Sequence, residues 1–353
     1  MGAVATEEFS AGLPVRVGDI GRELKKLWDV NGGAMTRASL INLAVYSEAP
    51  GSLTKNTELI SKITQNHACR AIVVEADCTA EHASVEAWIS AHCRISRAGS
   101  KQICSEQLSF HLKAEAAALL PNIVFSQLDS DLPFYLWWQG EFHDAMDSQL
   151  WTWVDRLIYD SRAWSDFTAQ MERVETAQTE ARQRVVLCDL NWTRLMQFRL
   201  AIAQFFDHPC MHEYFEEIER VEIDFHPGFR STAVLLVGWL AAQLQWRELR
   251  QSGKLSLTFV DAAGNRIAAT LKEVNGQPIS RCALHCGKLE FRVTHEPAED
   301  LLHVWSAAEG GNRLDELMPA GSDDPVALVN EELMRGGPHR VYLRALNCVR
   351  ELL

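Results

Sequence analysis

The chain has 353 residues, of which 47% are hydrophobic and 23% charged, and a formal net charge of −13. This is the composition of a folded globular protein long enough for two cores, not of a disordered one. The negative charge opposes any nonspecific hold on nucleic acid or an anionic membrane, because long-range repulsion would have to be overcome locally. No window approaches the roughly 20 apolar residues that span a bilayer, and the N-terminus "MGAVATEEFSAGLPV" lacks the basic stretch and apolar run of a signal peptide. A cytoplasmic protein without nucleic-acid or membrane partners is expected. The nine cysteines are scattered and lie mostly in apolar segments, which predicts reduced, largely buried thiols rather than a disulfide framework.

An N-terminal arm over residues 1–36 carries one short amphipathic helix at "DIGRELKKLWDV", where Ile20, Leu24, Leu27 and Trp28 share a face. "RASLINLAVYSE" reads as a strand, "GSLTKNTELISKITQNH" as a helix capped by Asn56 or Thr57, and "CRAIVVEAD" as a buried strand; together they form a βαβ unit. "VEAWISAHCRIS" and "KQICSEQLSFHLK" read as two strands joined by the turn "RAGS". A helical "EAAALLPNIVFSQLDSD" delivers the chain into the strand "LPFYLWWQ", and "DSQLWTWVDRLIYDSR" holds a short helix and another strand. The next segment is polar and helix-prone over 169–184 and amphipathic over 192–206, so the domain boundary falls at 167/168.

Beyond it come the strand "IERVEIDFH", the apolar helix "STAVLLVGWLAAQLQW", a hairpin around "AAGN", the strands "ISRCALHCG" and "KLEFRVTHE", and two C-terminal helical segments. The expected fold is an α/β N-terminal domain, 37–167, with a mixed, largely parallel sheet, plus an α+β C-terminal domain, 168–353.

The first βα turn, "SEAPGSLTKN", has neither G-x-G-x-x-G nor G-x-x-x-x-G-K-[ST], and no G-x-S-x-G or H-E-x-x-H occurs. No catalytic constellation and no cofactor are expected. Cys282, His285 and Cys286 form the densest ligand-like cluster, but a strand turns His285 away from the two thiols, and no metal site is expected. His67, Arg70, His92 and Glu106 are the candidate anion or ligand site, lining a sugar-phosphate pocket at the strand ends of the N-terminal domain. The competing reading of Arg70 is an ion pair with Glu75 or Asp77.

Among the aromatic residues, Trp137 and Trp138 fall at the end of a strand and face opposite ways, so one is expected in the core and the other at the rim. Trp151 and Trp153 follow an acidic loop and read as surface anchors, and Trp192 as an interdomain contact. These five residues are the candidate partner interface. Trp239 and Trp246 share a helix face and are assigned to the core.

The segments "NHACRAIVVEAD", "AWISAHC", "QICSEQLSF", "LPNIVFSQLDSDLPFYLWWQGE", "DRLIYDS", "DLNWTRLMQFRLAIAQFFD" and "VLLVGWLAAQLQW" occur in an order and spacing that resembles the glucose-6-phosphate dehydrogenase assembly protein family, OpcA. The resemblance runs from about Arg37 to Trp246. It implies a non-enzymatic factor that binds glucose-6-phosphate dehydrogenase, promotes its active oligomer and supports NADPH production, with an N-terminal α/β domain and a distinct C-terminal domain. The chain departs from the family pattern at Ala68 and Gln139, where proline is usual, and at Ser105, where a second cysteine is common. The alternative reading is a sugar-phosphate-binding regulatory protein or small-molecule enzyme, with its site at the strand ends.

Overall fold

The computed structural model describes residues 12–30, 35–95, 102–143, 148–180, 185–207, 211–253, 255–296, 299–308 and 313–353. The turn "RAGS" and Cys210 lie outside the described residues. The chain divides into two compact units, one of residues 1–159, 172–187 and 329–336, the other of 160–171, 188–328 and 337–353. It therefore passes between units more than once, whereas the sequence reading draws one boundary at 167/168.

The first half runs β1 (Leu13–Val15), α1 (Ile20–Val30), β2 (Met35–Arg37), β3 (Ile41–Ser47), α2 (Ser52–Ile63), β4 (Cys69–Asp77), β5 (Ser84–Ile95), β6 (Gln102–Lys113), α3 (Leu120–Gln127), β7 (Phe134–Gln139), α4 (Ser148–Trp153) and β8 (Arg156–Tyr159). Then come α5 (Phe167–Glu180) and β9 (Val186–Asp189). The strands form one sheet in the order β1-β5-β6-β4-β3-β7-β8-β9, with β2 beside β6. The stretch β6-β4-β3-β7-β8 is parallel, and β1-β5-β6 is antiparallel. β3, β4 and β7 are apolar on both faces and almost wholly buried, as the central strands of a sheet covered on both sides must be.

The second half continues α6 (Leu190–Arg194), α7 (Met196–Asp207), β10 (Ile218–Phe225), α8 (Arg230–Leu244), β11 (Arg247–Gly253), β12 (Ser256–Val260), β13 (Arg266–Glu273), β14 (Ile279–Cys286), β15 (Leu289–His295), β16 (Leu301–Ala308), β17 (Arg313–Pro319), α9 (Pro325–Met334) and α10 (Arg340–Val349). A second sheet has the order β11-β12-β13-β10-β14-β15-β16-β17, antiparallel except at β10-β13. Its inward face is apolar, with Val221, Ile223, Phe225, Leu284, Phe291 and Val293 at 0% exposure. Its other face carries Arg220, Glu222, Arg281 and Glu290, joined by one ion pair within β10 and two that cross strands. α8 packs so closely on α10 that a Cβ on Gly238 would sit 2.5 Å from a Val349 methyl carbon, a separation only glycine allows. The two-domain α/β and α+β fold class is as expected.

Candidate functional site

In an open α/β sheet the natural anion position is the N-terminus of the helix after the first strand, where unpaired N–H groups and the helix dipole converge. Here β3 ends at Ser47 and α2 begins at Ser52, with Gly51 at φ +74° turning the chain. The position is filled by the chain itself. Glu75, the register partner of Ser47 on β4 and 5% exposed, accepts the Gly51 N–H at 3.0 Å, the Leu53 N–H at 2.7 Å and the Ser52 hydroxyl at 3.3 Å. Asn56 and Gln139 exchange hydrogen bonds of 3.1 and 2.8 Å between α2 and the end of β7. Gln139, a departure from the family pattern, thus has a structural partner.

The four ligand-site candidates do not converge. Arg70 pairs with Glu106 at 2.7 Å, and Glu106 also accepts Arg37 at 2.8 Å and the Trp28 indole N–H at 3.3 Å. Glu75 and Asp77 lie at odd separations from Arg70 along one strand, hence on the other face, while Glu106 sits beside Arg70 on the neighbouring strand. His92 belongs to that other face with Gln107: its Nε2–H donates to Gln107 Oε1 at 2.8 Å, and Gln107 donates to Thr57 and Ser109. His67 lies at the turn before β4, its ring held by the backbone of Asn330. Burial lowers the pKa of both histidines, which keeps them neutral at pH 7 and unfit to attract phosphate.

Four of the five interface tryptophans are core residues: Trp137, Trp138, Trp151 and Trp192 are 4, 2, 4 and 2% exposed. Trp138 stacks on Tyr46 with centroids 4.0 Å apart and donates its indole N–H to the Glu141 carbonyl. Neither Trp137 nor Trp138 reaches the rim, because both faces of β7 are covered. Trp153 differs, at 59% exposure with Phe125 beside it at 5.4 Å.

The thiols need one correction. The antiparallel register sets Cys93 opposite Cys104, and they form a disulfide. Cys69, Cys282 and Cys286 stay free, and burial pushes each thiol up to about 12, so none is a ready nucleophile. Cys282 and Cys286 point into the core while His285 sits outside near Arg220 and Glu222, as strand alternation requires.

A polar cluster that the sequence reading did not assign lies in the second unit. Asp189 caps α6 and accepts from the Ser161 N–H (3.0 Å), the Ser161 hydroxyl (2.6 Å), the Asn191 N–H (2.9 Å) and the Tyr342 hydroxyl (3.1 Å). Asn191 donates to Ser161 and Ser231 and accepts from Thr232. Ser161, Asp189, Asn191, Thr232 and Tyr342 are all 0–2% exposed. The cluster ties "YDS", "DLNW" and α10 together and presents nothing to a ligand. An aspartate directly before an apolar helical run was its sequence signal.

Comparison with known proteins bears on both halves. Residues 60–176 match the family model described as glucose-6-phosphate dehydrogenase subunit N-terminal domain, and residues 185–346 the one described as its C-terminal domain. The chain belongs to the glucose-6-phosphate dehydrogenase assembly protein family, OpcA. A family relative in Nostoc punctiforme, provisionally named OxPP cycle protein OpcA, is 27% identical over 228 residues, 63% of this chain and 48% of that one. The OpcA of Synechococcus elongatus is 25% identical over 282 residues, 74% of this chain and 63% of the relative. The chain thus spans about half the length of the curated relatives it matches. Among solved structures, an aldose-aldose oxidoreductase from Caulobacter crescentus aligns at TM-score 0.47 and 9% identity, over 88% of this chain and 96% of that one. Among the described residues no helix is long and apolar enough to cross a membrane.

Proposed function

We propose that this chain is a non-enzymatic, cytoplasmic assembly factor and allosteric activator of glucose-6-phosphate dehydrogenase, promoting its active oligomer and supporting NADPH production in the oxidative pentose phosphate pathway. The observation that carries this reading is that both halves match domains described as belonging to a subunit of that dehydrogenase. The filled helix N-terminus supports it further, since Glu75 occupies the place where a sugar phosphate or nucleotide would be held. A factor of this kind needs no chemistry of its own. By binding the active oligomer better than the inactive form, it shifts the population between them. Trp153, an exposed aromatic residue backed by Phe125, is the proposed anchor of the contact.

The test mixes the purified chain with the cognate dehydrogenase and follows activity together with sedimentation. Activity should rise and the oligomer grow with added factor. No change in either across an excess of factor, with the disulfide oxidised or reduced, would refute the proposal.

A further inference from the structure

The second unit carries a cleft of about 370 Å3 between the C-terminal end of α8, the start of β10 and the turn joining β12 to β13. That volume is in the range of small-ligand pockets. Its lining residues include the aromatic Phe215 and Trp246, the acidic Glu216 and Asp261, and the amide-bearing Gln243 and Gln245. Among the described residues that line it, none is Lys or Arg. The cleft therefore offers acceptors and negative charge, and no cation among the described lining residues answers them.

α8 adds to this polarity. The last carbonyls of a helix lack intrahelical partners and hold the negative end of its dipole, and α8 ends at the cleft. The Gln245 and Trp246 N–H groups both return to the Ala241 carbonyl, which turns Gln245 to φ +56° and fixes Trp246 against Phe259 at 6.1 Å. Asp261 is fixed as well: its two oxygens accept the Asn265 N–H and side-chain amide, each at 2.8 Å. Those hydrogen bonds lower its pKa and keep it ionised. The side-chain amides of Gln243 and Gln245 make no hydrogen bond to the described residues.

We propose that this cleft binds a compact organic cation, a guanidinium or ammonium group, seated between the Asp261 and Glu216 carboxylates and the α8 terminus with its apolar part against Phe215 and Trp246. Phosphate and other anions are repelled there, and a neutral polyol gains nothing from the carboxylates. The inference stands independently of the dehydrogenase as partner.

The test labels the full chain with nitrogen-15 tryptophan and identifies the Trp246 indole signal through Trp246→Phe. Methylguanidinium should move that signal saturably, and N-methylurea, its uncharged analogue, should bind about tenfold or more weakly. Glu216→Gln, at an exposed position, should weaken methylguanidinium binding about threefold, as should Asp261→Asn if the hairpin stays intact. A capped Gly-Arg-Gly peptide that binds more tightly than methylguanidinium assigns the cation to a partner protein's side chain; equal or weaker binding assigns it to a free small molecule. An unsaturable response in folded protein, or equal binding of the urea, overturns the proposal.

Discussion

At Asp189 burial and hydrogen bonding pull in opposite directions. Complete burial disfavours its charge more than the bonds from Ser161 and Asn191 favour it, and its pKa rises from 3.8 to about 6. The folded protein thus holds a proton that the unfolded chain has released, so stability from this group is full below about pH 4 and is lost as pH rises through 6. Asp189→Asn removes that titration. Between pH 4 and pH 7 the unfolding free energy of the wild type should fall relative to the variant by on the order of 2–3 kcal/mol. Denaturant titrations of both proteins across that range decide it, and a pH-independent difference would exclude the assignment. The same scale shows the reach of sequence reasoning. The aspartate cap was legible in the pattern, but Ser161 and Tyr342, 28 and 153 residues away, were not.

At the scale of elements the sequence pattern reads well where a segment is long and its periodicity strong. The βαβ unit, the β5-β6 pair, the β12-β13 hairpin and α8 lie where their apolar spacing places them. α2 begins earlier than Asn56 or Thr57, because its cap is not local. Glu75 supplies it from the next strand, Thr57 is left to donate to the Leu53 carbonyl, and Asn56 pairs with Gln139. Glu75→Ala leaves the Leu53 N–H and the Ser52 hydroxyl buried without this acceptor and should cost about 2–4 kcal/mol. Glu75→Gln, which keeps an acceptor, should cost about half that or less. Chemical denaturation measures both; an alanine variant within about 0.5 kcal/mol of wild type would show that the carboxylate does not hold the helix. The strands β1, β2, β9, β11, β16 and β17 were not anticipated. β1 and β2 have three residues and β9 has four, too few for a period to show.

Across the whole molecule the question is which surface a partner meets. On the proposed role as an activator, Trp153→Ala should leave the melting temperature within about 2 °C of wild type and reduce activation of the dehydrogenase about fivefold or more. Trp138→Ala, by removing a ring packed on Tyr46 and Phe142, should instead cost about 3–5 kcal/mol of stability. Activation assays alongside thermal unfolding separate the two effects, and full activation by a folded Trp153 variant would move the contact elsewhere.

Sequence alone determined the α/β and α+β classes, the buried central strands and the family pattern, because each is written in local period, composition or segment order. Tertiary structure decided which charges meet and which rings reach solvent. Arg70 finds Glu106 rather than Glu75, Cys93 finds Cys104, and Glu75 fills the helix N-terminus, since each partner arrives on a neighbouring strand or helix. Of the five interface tryptophans, four vanish into cores and Trp153 remains outside, because burial depends on what covers a face, and no period along the chain records the covering layer.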